Sequence, residues 1–203
     1  MRLRVCVCVV AVALAACLPT FPAEAPAGVA VVDDFSDPEL KDRYHLQGGS
    51  WRVVDGALST LGDRNLPLWL RSPLSCNVRV EFTSTSTSPA VDMKVELFGD
   101  GIRHESGYVV IVGGWNNTLS GIARLDEHEA KRVMTRSRFE ANRRTRWRIE
   151  RTDGRTLRLF VDGAEVAAYV DDAPLCGPRN NRFAFSGWES EVRFDDLRIT
   201  PLP

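Results

Sequence analysis

Residues 91–97 read Val91-Asp92-Met93-Lys94-Val95-Glu96-Leu97, with apolar and charged side chains in strict alternation. A period of two places every apolar group on one side of an extended segment, the mark of a half-buried strand. The same period recurs along the chain. Val78, Val80 and Phe82 oppose Arg79 and Glu81; Trp147 and Ile149 oppose Arg146, Arg148 and Glu150; Leu157, Leu159 and Val161 oppose Arg158. The charged partners, including Asp92 and Glu96 with Lys94 between them, read as a solvated sheet face of alternating sign.

Turn signals separate these runs. Asp55-Gly56 lies between Trp51–Val54 and Ala57–Thr60, and Asp162-Gly163 between Leu157–Val161 and Glu165–Val170. Asp-Gly tolerates the positive φ of a two-residue hairpin turn. Further strands are read at 29–35, 66–71, 107–112, 121–125, 131–135, 182–186 and 191–199. About a dozen short strands at turn spacings near ten residues predict an all-β, two-sheet antiparallel sandwich. Helix candidates are few: one turn at 37–44, and the polar stretch 126–132.

The 203 residues carry 26 basic and 27 acidic side chains, a formal −1, which lacks the basic stripe of a nucleic-acid binder. At the start, Arg2 and Arg4 precede a 12-residue apolar run, Val5 to Ala16. That run is too short to span a bilayer, which takes about 20 residues, and fits a signal h-region. It ends Leu14-Ala15-Ala16-Cys17, which resembles the lipobox of bacterial lipoproteins. The resemblance implies acylation of Cys17, cleavage before it, and a lipid anchor in a bacterial membrane. Leu18, rather than Asp, after the cysteine favours the outer one. Ordinary cleavage after Ala15 or Ala25 is the alternative. On the lipoprotein reading, 1–16 is the signal peptide, 17–28 the acylated cysteine with a Pro/Ala tether, and 29–203 the domain. The tether, with Pro19, Pro22 and Pro26, resists both helix and sheet.

Of five cysteines, Cys6 and Cys8 leave with the leader and Cys17 goes to lipid. Cys76 and Cys176 remain, an even pair that an oxidising compartment is expected to join as a disulfide; two separately buried thiols are the alternative.

Four segments carry a wider resemblance: Val32-Asp33-Asp34-Phe35, Gly49-Ser50-Trp51 with its Asp55-Gly56 hairpin, Phe160-Val161-Asp162-Gly163, and Val192-Arg193-Phe194-Asp195-Asp196-Leu197-Arg198-Ile199. Together they resemble the concanavalin A-like lectin and glucanase superfamily, close to the laminin-G-like group. The resemblance implies a jelly roll whose first and last strands are neighbours. Members bind or cleave glycans or mediate protein contacts, and fold alone does not choose between these.

The laminarinase-type catalytic run Glu-x-Asp-x-x-Glu is missing; the nearest acids are Glu189, Glu191 and Asp195. The histidine of jelly-roll lyases is also missing, and His45, His104 and His128 are scattered. Asp126-Glu127-His128-Glu129 lacks helical His spacing and reads as a solvated acidic loop. If the end strands are neighbours, Asp34 and Asp195 are candidates for a shared structural calcium, with ordinary salt bridges as the alternative. Trp51 and Trp147 fall on apolar faces and read as core. Trp115 with Asn116 and Asn117, and Trp188 with Glu189, sit on loops. Flat rings beside amides and carboxylates suit sugar recognition; a tryptophan lid over one end of the sandwich is the competing reading, and the simpler one. The expected function is an anchored carbohydrate-binding or envelope-interaction module. A glycan hydrolase, or a structural lipoprotein that contacts envelope proteins, is the alternative.

Overall fold

A computed structural model describes residues 28–203. The signal peptide, Cys17 and all but the last residue of the tether lie outside the described residues. Fifteen strands follow in chain order: β1 Val31–Asp33, β2 Tyr44–His45, β3 Arg52–Val54, β4 Ala57–Leu61, β5 Leu68–Leu70, β6 Val78–Ser86, β7 Met93–Gly99, β8 Tyr108–Gly113, β9 Leu119–Arg124, β10 Val133–Arg136, β11 Thr145–Arg151, β12 Thr156–Val161, β13 Ala164–Val170, β14 Arg182–Gly187 and β15 Glu191–Pro201.

They form two antiparallel sheets. One runs β13-β12-β11-β6-β15-β4-β3, with β1 added on β15; the other runs β10-β9-β8-β7-β14-β5-β2. The first and last strands do pair, Val31 with Ile199 and Asp33 with Leu197. The fold is the two-sheet jelly-roll sandwich that the period of two requires. Neither helix candidate forms: 37–44 ends in a turn and β2, and 126–132 is a looped connection.

The alternating residues interdigitate between the sheets. Phe82 stacks on Trp147 at 5.0 Å, Phe183 meets Phe185 edge-on at 5.0 Å, and Phe185 reaches Phe194 at 4.6 Å. Two core tryptophans find partners for their indole N–H groups: Trp147 donates to Ser84 Oγ at 2.7 Å and Trp51 to the Leu66 carbonyl at 2.8 Å. Asp55-Gly56 and Asp162-Gly163 both adopt positive φ and close the hairpins β3–β4 and β12–β13.

The acidic pairs at the strand ends have structural partners. The fully buried Asp33 carboxylate accepts from Tyr44 Oη at 2.9 Å and from the Phe35 amide at 3.0 Å, and pairs with Arg43 at 2.8 Å. Asp34 accepts from the Ser36 amide at 3.1 Å, and Asp195 pairs with Arg144 at 3.4 Å. The calcium candidates Asp34 and Asp195 are thus committed to an amide and a guanidinium. Among the described residues, no group of three ion-binding side chains contains either of them. Cys76 and Cys176 are joined, with Cα atoms 5.6 Å apart.

Candidate functional site

The outer face of the second sheet departs most from expectation. β7 and β8 are buried along their whole length. Met93, Val95 and Leu97 enter the core, so Lys94 and Glu96 point the other way. Those two are not solvated: Lys94 is 3 % exposed and Glu96 0 %. The expected solvated face is corrected here because the connections after β7 and β9 fold back over the sheet. Gly99 permits part of this closure; a Cβ there would collide with the Trp69 ring and with Ser106.

Glu96 anchors the covering loop. Its carboxylate lies 2.6 Å from His104 Nδ1 and accepts the Glu105 amide at 3.0 Å. Burial raises the Glu96 pKa, with His104 and the Glu105 amide opposing. For His104, burial works against the charged ring, but the hydrogen bond and charge of Glu96 outweigh it, and the pKa is raised. The loop after β9 is stitched to this one through the Glu127 amide, which donates to Glu105 Oε1 at 2.6 Å.

Beside this cover an open cleft of about 450 Å3 remains, lined by Asn65, Asp92, Lys94, Glu105, Trp115, Asn116, Glu127, His128 and Trp188. Six connections contribute: those after β4, β6, β7, β8, β9 and β14. Lys94 sits on the floor, its Nζ 2.8 Å from Glu127 and 3.6 Å from Asp92. The two acids therefore flank one ammonium. Burial pushes the Asp92 carboxyl up to about 6, with Glu127 and Glu189 adding to it against the pull of Lys94.

That titration has a stability consequence. The folded state favours the protonated acid, so this group's contribution is most favourable below its ordinary pKa of 3.8 and is lost as pH rises through about 6. Asp92→Asn is expected to leave stability nearly unchanged at pH 4 and to raise it by about 2 to 3 kcal/mol at pH 8, at roughly 1.4 kcal/mol per pH unit of displaced titration. Lys94 keeps Glu127 as its partner. Thermal melts of both proteins at the two pH values check this; equal melts at pH 8 would contradict it.

The tryptophan loops close the ends of the cleft. Gly113, Trp115, Asn116 and Asn117 have φ of 69, 49, 57 and 60°, so Gly114–Asn117 forms a left-handed turn closed by Thr118 N–H donating to the Gly114 carbonyl at 3.0 Å. Asparagine tolerates this region; tryptophan pays about 1 to 2 kcal/mol for it. Backbone strain of this kind collects where a side chain must be displayed. The Trp115 ring meets the His128 edge at 5.8 Å and carries Arg132 at 5.6 Å. Trp188 has Arg64 and Lys94 each 5.6 Å from its ring centre and is 38 % exposed.

Of the sequence-chosen ligand residues, Trp115, Asn116 and Trp188 come together here from loops 72 residues apart. Asn117 does not join them. It is buried, its Oδ1 accepts the Phe139 amide at 2.9 Å and its Nδ2 donates to the Phe139 carbonyl at 2.7 Å, so it holds the 137–140 segment in place. Glu189 pairs with Arg64 at the rim. Asn65, Asp92, Lys94, Glu105, Glu127 and His128 were missed as site residues. Their only sequence signal, a lysine with acids two residues to either side and one beyond, is shared by any salt-bridged surface strand. His104, Glu105 and Glu127 bring one potential ligand atom each within 4.8 Å, but Lys94 already supplies a cation to Glu127.

No family model matches the chain. An extracellular exo-alpha-L-arabinofuranosidase of Streptomyces chartreusis is 26% identical over 151 residues, which is 70% of this chain but only 17% of that protein. Among solved structures, one from work on endo-acting O-glycanases of the human gut microbiota superposes with TM-score 0.63 and 15% identity, covering 85% of this chain and 99% of that one. The carbohydrate-binding module CBM66 from Bacillus subtilis gives 0.61 and 14%, covering 76% and 92%. A non-specific endo-beta-1,3(4)-glucanase of family GH16 gives 0.55 and 14%, covering 89% and 92%. At these identities the likeness is one of fold: the chain has the jelly-roll sandwich that carbohydrate-binding modules and glucanases also use.

Proposed function

We propose that the domain binds a glycan in the cleft between Trp115 and Trp188. The observation that carries this is the pair of tryptophans, displayed from separate loops over a floor of buried ionised groups. Apolar ring faces suit pyranose C–H surfaces, and the carboxylates, amides and ammonium between them suit hydroxyls. Burying Asp92, Lys94, Glu96 and Glu127 on a sheet face stabilises less than apolar packing would, so a ligand is a reason for having them there. The arabinofuranosidase match fits this reading: it spans a portion of that protein the size of an accessory module. Screening the purified protein on a glycan array tests it. Discrete hits are expected, and silence across neutral, acidic and amino glycans would remove the reading.

Glycoside hydrolysis is a second reading, favoured by one observation: two carboxylates, Asp92 and Glu127, line the same cleft, as the paired acids of a glycosidase must. Lys94 between them neutralises the group that would attack, which places binding first. Release of reducing ends from an array hit, lost in Asp92→Asn, would reverse that order.

We place the domain at a bacterial membrane surface, exported and held by lipid on Cys17, on the strength of the Leu14-Ala15-Ala16-Cys17 run. Cys17→Ser is expected to move the protein from the membrane to the soluble fraction, read by fractionation; unchanged partitioning would refute the anchor.

A further inference from the structure

Resting on the glycan-binding reading, we propose that the ligand of this cleft carries a free ammonium group, as a glucosamine unit does, and that uronate- and sulfate-bearing chains are excluded. Three carboxylates line the cleft, Asp92, Glu105 and Glu127, against the single ammonium of Lys94 and the exposed His128 imidazole, which stands 3.9 Å from Glu127. Lys94 is shared between two of them. Two nearby cations are committed elsewhere: His104 to Glu96, and Arg64 to Glu189. Arg132 lies against the Trp115 ring and is not among the lining residues.

An open acceptor points the same way. Asp92 is 8 % exposed, and its Oδ1 is buried without a hydrogen-bond partner, the Lys94 ammonium standing 3.6 Å off. Such an oxygen is costly to leave unfilled. An ammonium brings three donors and a charge to it, where a hydroxyl brings one donor and none. Burial is the main cause of the raised Asp92 titration, and Glu127 and Glu189 add to it against Lys94.

The test compares matched oligomers of glucosamine, N-acetylglucosamine and galacturonic acid, titrated calorimetrically into the full chain at pH 6, where the amine is protonated. The glucosamine oligomer is expected to bind about tenfold more tightly than its N-acetylated counterpart, the scale of one hydrogen bond to a charged group. The margin should shrink with added salt, which screens the charges. Glu105→Gln should narrow it too; the glutamine carbonyl can still accept the Glu127 amide, so the loop cover is kept, and a melt verifies folding. If that variant does not fold, the salt series on the parent protein decides. Equal affinities, or a preference for galacturonate, overturn the ammonium inference and leave glycan binding standing. Array hits confined to neutral or acidic glycans do the same. Silence from every oligomer and from the array overturns both.

Discussion

Trp115→Gly is expected to weaken glycan binding by tenfold or more while the protein melts no lower than its parent. The ring is the larger of the cleft's two contributions from the β8–β9 connection, and truncating a buried tryptophan anchor typically removes about 2 kcal/mol or more of binding energy. Each 1.4 kcal/mol is tenfold in affinity. The backbone argues for glycine rather than alanine as the replacement. Trp115 sits at φ 49°, ψ 57°, a left-handed conformation that glycine adopts freely and a bulky residue does not. Relief of about 1 to 2 kcal/mol of strain offsets the lost contacts with His128 and Arg132. Titration calorimetry against an array hit, paired with a thermal melt, separates the two effects. Parental affinity in the glycine variant would show that the ring is a lid and not a binding surface. Trp188→Ala should weaken binding in parallel, since that ring is already partly open to solvent.

Removing the Cys76–Cys176 bridge carries the largest expected effect on stability. The bridge closes 100 residues, and loss of a constraint of that length costs about 4 to 5 kcal/mol in the chain-entropy model. Whole domains have only about 5 to 15 kcal/mol to lose. The Cys76→Ser, Cys176→Ser double variant should therefore melt far below the parent, and a reductant should bring the parent's midpoint to the variant's. Equal midpoints would contradict this.

The folded geometry should nevertheless survive in that variant below its melting range, because Arg151 holds the same two segments. Its buried guanidinium donates to the Cys76 carbonyl at 2.6 Å and to the Leu175 carbonyl at 3.1 Å, and packs 3.7 Å above the Phe98 ring. Phe98 lies near the end of β7 and Asp92 just before its start, so the stapled region and Asp92 are separated by nearly the length of that strand.

Much of the fold was legible in the residues. The period of two in 78–82, 91–97, 147–149 and 157–161 could be satisfied only between stacked sheets, and the two Asp-Gly turns fixed their hairpins locally. The tryptophans on glycine- and asparagine-rich loops stood out for the same local reason. The polar half of the site was illegible. Asp92-x-Lys94-x-Glu96 has the pattern of a solvated face, and nothing within those residues says that residues 100–106 and 125–132 will lie on top of them. Asn117 shows the converse error: two residues from Trp115 in sequence, it turns to bind Phe139 instead.

Sequence by itself determined what each segment is, strand or turn, and which of its sides is apolar, because those properties follow from neighbours one to four residues away. Only the tertiary structure decided that Asn65, Asp92, Glu105, Trp115, Glu127 and Trp188 share one cleft and that Lys94 is buried between two acids. The reason is the order of strands in the second sheet, which sets β7 beside β8 and β14 and lets six connections converge. Solvation of a charged side chain depends on what covers it, and the cover is made of residues far along the chain.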